Sequence, residues 1–151
     1  MTNGSPPASN RLPKWQEWAI YASFGVLLVS GGAWLILHRL VTVAGAFGPE
    51  PSPFEPWLLQ IHGVVAYVFL VVAGALIPNH IRLGWLARRN HYTGTTTTAA
   101  MLVLALSGVA LYYVGSESLR PWTSLAHWAV GLGGAVALAI HAGLVIRRQP
   151  L

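Results

Sequence analysis

Residues 57–80 read WLLQIHGVVAYVFLVVAGALIPNH and residues 127–141 read HWAVGLGGAVALAIH. Neither stretch holds a Lys, Arg, Asp or Glu. The first, wound as a helix at about 1.5 Å per residue, spans about 36 Å, enough to cross ~30 Å of hydrocarbon. A bilayer offers the backbone no water, so such runs must close their own hydrogen bonds as helices. Each stretch begins and ends on, or close to, a histidine.

Two further apolar runs flank and separate these. The expected helices are 15–40, 57–80, 96–114 and 121–146, which predicts an all-α integral membrane four-helix bundle over residues 15–148. Composition points the same way. Of 151 residues, 54% are hydrophobic and only 9% charged, with a mean hydropathy of +0.55. A water-facing domain carries about 25% charged residues, and disordered chains are polar. The net charge of +5 does not mark a nucleic-acid partner, because the basic residues sit in small groups between apolar runs, a membrane pattern. With no cysteine, the chain has no disulfide, thiolate metal site or covalent haem attachment of the c type.

Residues 1–14 are polar and rich in Pro, Ser and Asn, and read as a flexible tail. Ala44-Gly45-Ala46 has the small residues of a leader cleavage site, but the preceding apolar stretch far exceeds the ~7–15 residues of a leader and ends in His38-Arg39. It reads as a retained helix. Basic residues set the expected topology. Arg11 and Lys14, then Arg82, Arg88 and Arg89, then Arg147 and Arg148 place both termini and the central loop in the cytoplasm. Glu50, Glu55 and Glu117 fall in the other two loops, with Arg39 and Arg120 at their edges. Trp15, Trp18, Trp57, Trp85 and Trp122 lie near helix ends, where indoles favour the interface. Pro49, Pro51, Pro53 and Pro56 make 45–57 a stiff extended outer loop.

Five of the six histidines, His38, His62, His80, His127 and His141, lie in or at the ends of apolar runs. Ionisable groups inside a membrane are costly and usually functional, and neutral imidazole is a standard axial ligand of haem iron. His62 and His80 are 18 residues apart, five helical turns, and share a face. His127 and His141 are 14 apart, about 40° from alignment, and share a face too. With one helix between them, helices two and four run parallel. They then present His62 with His127 at the outer level, and His80 with His141 at the inner level. That constellation suits two bis-histidine haem b groups.

Gly131 and Gly134 continue the His127–His141 stripe and leave room for a flat macrocycle, although glycine is also common in membrane helix packing. The ligand spacings differ, about 27 Å along helix two and about 21 Å along helix four. Pro78, whose ring would crowd the backbone at Gly74, is the expected site of a compensating kink. Arg39 and Arg120 outside and Arg82 inside are candidate partners for the carboxylates of a macrocycle, arginine being suited to that pairing. His38 is expected to meet interfacial water, His91 to be solvated in the cytoplasmic loop, and Met101 to serve packing.

On these residues, and on the basic loop Arg82-Leu83-Gly84-Trp85-Leu86-Ala87-Arg88-Arg89, the chain resembles the four-helix membrane b-type cytochromes. This is the cytochrome b561-like group that includes di-haem cytochrome b subunits of bacterial hydrogenases and formate dehydrogenases. The resemblance covers 15–148. It implies electron transfer across a bacterial inner membrane, with quinone and a periplasmic or cytoplasmic redox protein as partners, alone, as a homo-dimer or in a larger complex. A one-haem version would use only the outer pair. The rival from another class is a haem-free membrane anchor or assembly subunit. No catalytic triad, carboxylate pair or phosphate loop is present in the sequence, and the four acidic residues lie outside the central membrane zone.

Overall fold

A computed structural model describes residues 12–88 and 90–147. The expected tail up to Arg11, and the loop and terminal arginines Arg89 and Arg148, lie outside the described residues. The chain folds as α1 (Lys14–Leu40), a hairpin of β1 (Thr42–Gly45) and β2 (Gly48–Pro51), and α2 (Glu55–Ala75). A π-helical turn (Ile77–Ile81) then leads to α3 (Arg82–Leu86), α4 (His91–Tyr113) and α5 (Leu119–Arg147). Lys14–Leu40, Glu55–Ala75, His91–Tyr113 and Leu119–Leu144 are each long and apolar enough to cross a membrane, as in a multi-pass membrane protein.

α1 packs against α2, and α4 against α5, with a smaller contact between α1 and α5. α2 and α5 are not a closely packed pair. Ile20, Phe69 and Leu76 form a small buried cluster that Phe24, Val72 and Met101 extend, and Phe24 meets Phe69 at 6.0 Å between ring centres. Among the described residues no large side chain is fully buried, whereas Val29, Tyr67, Val71 and Val136 are strongly exposed. That pattern suits helices whose outer faces are solvated by lipid rather than water. Met101 therefore serves packing, as expected.

Three boundaries differ from the sequence expectation. The outer loop is not merely extended. Thr42 pairs with Pro51, Val43 with Glu50, Ala44 with Pro49 and Gly45 with Gly48, and Gly48 takes a φ of +128° at the turn, a conformation costly for any residue with a Cβ. Prolines are tolerated because a two-stranded ribbon leaves each strand an open edge for a residue without an N–H.

Helix α4 starts at His91, five residues before the expected Thr96. The Thr-rich entry has weak intrinsic helix preference, yet its hydroxyls bond back into the helix, Thr98 to the Gly94 carbonyl at 2.9 Å and Thr93 to the Asn90 carbonyl at 3.1 Å. His91 is thus the first residue of a helix, packed on Trp85 at 4.0 Å between rings, rather than a solvated loop residue.

The third difference lies where Pro78 was expected to act. α2 ends at Ala75, and Ile81 N–H reaches back five residues to the Leu76 carbonyl at 3.1 Å, while His80 N–H bonds the same oxygen at 2.8 Å. A π turn accommodates the missing proline N–H and carries the chain on to His80.

Candidate functional site

α2 and α5 each begin at the hairpin end of the molecule and run toward α3. His62 lies two turns into α2 and His127 about two turns into α5, and the structure brings their rings together, 6.2 Å between centroids with planes 73° apart. At the opposite end His80, on the π turn, meets His141 of α5 at 6.1 Å and 88°. The two histidine pairs thus bridge the two helices that do not otherwise pack closely.

Three of these rings are held from the helix packed alongside. Ser30 of α1 donates its hydroxyl proton to the Val26 carbonyl at 2.7 Å, and its oxygen lies 3.1 Å from His62 Nδ1. Ser107 of α4 donates to Val103 at 2.7 Å and lies 2.8 Å from His127 Nδ1. Thr93 of α4 donates to Asn90 and lies 3.1 Å from His141 Nδ1. A hydroxyl has one proton, and a carbonyl can only accept. A hydroxyl whose proton goes to the backbone carbonyl accepts from the imidazole, and in that arrangement Nδ1 carries the hydrogen and Nε2 keeps a lone pair. His62 has a second constraint of the same sign, since its Nδ1 is also 3.1 Å from the Leu27 carbonyl.

The residue after each hydroxyl is glycine. A Cβ at Gly31 would stand 3.1 Å from His62 Cε1, one at Gly108 3.5 Å from His127 Cε1, and one at Gly94 3.5 Å from His141 Cε1. The imidazoles therefore lie against bare backbone. Sequence inspection of α2 and α5 alone does not reveal these residues, because they belong to neighbouring helices. The available signal is a hydroxyl–glycine dipeptide inside an apolar span.

The donor set can be tested against a metal held between facing imidazoles. With a metal–imidazole bond of about 2.0–2.1 Å and about 1.1 Å from ring nitrogen to ring centre, two trans imidazoles have centroids about 6.3 Å apart. Both pairs match that spacing. Among the described residues there is no group of three or more His, Asp or Glu placed to hold a metal ion, so each pair could offer no more than two protein ligands. A bare zinc site needs three or four; haem iron, with four nitrogens from its macrocycle, needs only an axial pair. The residues fit haem.

The remaining candidates fall around these pairs. Arg39 at the end of α1 and Arg120 at the start of α5 are exposed at the His62/His127 end, and Arg82, two residues after His80, is exposed at the other. Cβ atoms built at Gly131 and Gly134 would meet Leu104 at 3.7 Å and Ala100 at 3.7 Å on α4, so these glycines let α4 and α5 approach. His38 is not simply hydrated: its Nδ1 is 2.9 Å from Glu55 Oε2, and its ring stacks on Trp34 at 4.6 Å. A cavity of about 270 Å³ beside the second pair is lined by His80, His141, Trp85, His91, Thr95 and Thr98 among others.

Comparison with known protein families, with curated proteins and with solved structures finds no match.

Proposed function

We propose that the chain is a di-haem b-type cytochrome of a bacterial inner membrane that carries electrons between the two membrane faces. The observation that carries this reading is the hydroxyl anchoring of His62, His127 and His141, which leaves Nε2 as the lone-pair nitrogen in rings already spaced for one shared metal. Anchoring of the distal ring nitrogen is the usual outer support of a metal-bound histidine.

Bound haem supplies one-electron redox chemistry at the iron. His62 and His127 would hold the group at the hairpin end, and His80 and His141 the one at the α3 end. Ser30, Ser107, Thr93 and the Leu27 carbonyl fix ring orientation and tautomer. Gly31, Gly94 and Gly108 let the rings stand close to the supporting helices. The apolar walls keep water away, and Arg39, Arg120 and Arg82 lie at the levels where carboxylates of the macrocycles would emerge. Along α5 the two levels are about 21 Å apart, so the pairs divide the crossing into steps.

The basic residues Lys14, Arg82 and Arg88 support an orientation with the α3 end and both termini on the cytoplasmic side and the hairpin outside. Quinone at one face and a periplasmic or cytoplasmic redox protein are the partners this arrangement serves, in keeping with the resemblance to cytochrome b561-like proteins.

The test is an absorption spectrum of the purified full chain from haem-replete cells. The reading expects a sharp Soret band, α and β bands on reduction, and about two haems per chain. His62→Ala or His127→Ala should remove one haem, and His80→Ala or His141→Ala the other. A ratio near one in the parent chain would restrict the function to one centre. Folded, colourless protein would overturn the proposal in favour of a membrane anchor or assembly subunit.

A further inference from the structure

Glu55 is an acidic residue at the mouth of an apolar span, and only 8% of it is exposed. Its carboxylate lies 2.9 Å from His38 Nδ1, the sole contact between a carboxylate and a basic side chain among the described residues. The two partners differ in access: the His38 side chain is 48% exposed and that of Glu55 11%. A proton can therefore reach the pair from water through the imidazole, while the carboxylate remains in the low-dielectric interior.

The pair is also in line with the His62/His127 centre. Glu55 and His62 are seven residues apart on α2, two turns on one face and about 10.5 Å of rise. On α1, Ser30 and Gly31 touch His62, and the same stripe continues through Trp34 to His38, whose rings stack. No hydrogen bond among the described contacts links the pair to the centre, so the two communicate through the field. The other titratable or charged groups at this end are Arg39, Glu50, Tyr112, Tyr113, Glu117 and Arg120, all exposed, with His127 beside His62. Water screens charges on such exposed groups far better than it screens a buried one.

We infer that the His38–Glu55 pair is the proton acceptor for electron uptake at the His62/His127 centre, so that reduction there is proton-coupled. The inference rests on the haem reading above. One electron arrives from a one-electron donor and adds one negative charge to the centre. One proton enters from water on the hairpin side and is held between imidazole and carboxylate, taking the pair from one negative charge to none. Both leave on reoxidation. Unit charges about 10 Å apart at an effective dielectric constant of about 20 interact by roughly a factor of ten in an equilibrium constant. For a one-electron centre that factor corresponds to about 59 mV.

The experiment is a spectroelectrochemical titration of the detergent-solubilised, haem-loaded full chain with redox mediators, from about pH 5.5 to 8.5. The expected result is one component whose midpoint potential falls by about 59 mV in total as pH rises, and which is missing from His62→Ala. Glu55→Gln and His38→Asn should each make that component independent of pH while retaining its absorption bands. Flat potentials in the parent chain with both haems bound would overturn the inference and leave the cytochrome reading standing. A dependence retained in both variants would assign the proton elsewhere and overturn it equally. Protein that binds no haem would overturn both.

Discussion

Ser107 and Ser30 hold facing histidines of one pair, yet their removal should have unequal consequences. His127 Nδ1 has a single described acceptor, Ser107 Oγ at 2.8 Å. His62 Nδ1 has two, Ser30 Oγ at 3.1 Å and the Leu27 carbonyl at 3.1 Å. Ser107→Ala strands an N–H in an apolar span, at a cost of about 1–3 kcal/mol. It also frees the ring to turn or to move its proton to the ligating nitrogen. Loss of an outer-shell partner lowers metal affinity by roughly 10–100-fold, which is about 1.4–2.7 kcal/mol and agrees with the desolvation figure. Ser30→Ala leaves the backbone oxygen in place, so the proton stays on Nδ1 and the loss should be below about 1 kcal/mol, under fivefold. The assay is the rate and extent of haem transfer from each purified variant to an excess of a haem-scavenging apoprotein, with Ser107→Thr as the variant that keeps the hydroxyl. Ser107→Ala should release one haem at least tenfold more readily, while Ser107→Thr and Ser30→Ala stay near the parent. Equal effects of the two alanine variants, or none from Ser107→Ala, would refute the claim that these hydroxyls set the tautomer.

Four further substitutions probe the two histidine pairs and their support. Gly31→Ala places a Cβ 3.1 Å from His62 Cε1 and 3.3 Å from its Nδ1, so the ring must shift by a few tenths of an ångström; a cost of about 1–3 kcal/mol should appear as faster haem loss, whereas Gly108→Ala, at 3.5 Å, should be neutral. Gly131→Ala, facing Leu104 at 3.7 Å, should leave haem content unchanged, because that glycine serves the α4–α5 contact. Pro78→Ala restores an N–H to the π turn and allows regular α-helix past Ala75; a one-residue change in winding turns His80 by about 100°, so the chain should keep the His62/His127 haem and lose the other, read as a haem-to-protein ratio falling from about two to about one.

The spans were legible because they are dictated by the solvent. Runs such as 57–80 have no water to bond their backbone, and the only periodicity left to read is that of the helix. The phase of His62 with His80, and of His127 with His141, follows from that periodicity. The places where sequence reasoning stopped short share one cause, which is that propensity is a weak guide when the surroundings forbid an unpaired backbone. Thr-rich 93–98 reads as a loop-to-helix entry on propensity, but the chain extends α4 back to His91 and turns its hydroxyls inward to the helix. The proline-rich 45–57 segment reads as extended, which β2 is, but pairing with β1 depends on the turn at Gly48, whose positive φ is not visible in composition.

The glycines show why the residues that support the rings were harder to find than the histidines themselves. Reading α5 as an isolated stripe assigns Gly131 and Gly134 to the side of the histidines, because a stripe says which residues share a face and not which neighbour that face meets. Once α4 is known to pack on α5, another regularity appears. Thr93 and Ser107 are 14 residues apart on α4, and His141 and His127 are 14 apart on the antiparallel α5, so one register satisfies both contacts. The sequence contains three dipeptides of Ser or Thr followed by Gly, namely Ser30-Gly31, Thr93-Gly94 and Ser107-Gly108, and all three lie against an imidazole. Close approach of the ring favours that adjacency. At Gly31 a Cβ would stand 3.1 Å from His62 Cε1, so even alanine would press on the ring, whereas at Gly94 and Gly108 the distance is 3.5 Å and a methyl group would fit. There it is a larger side chain that would hold the imidazole further from the backbone and weaken the bond to the hydroxyl. In a membrane span the dipeptide is therefore a joint signal of contact and polarity, readable when each histidine is matched with the helix beside it rather than with its own.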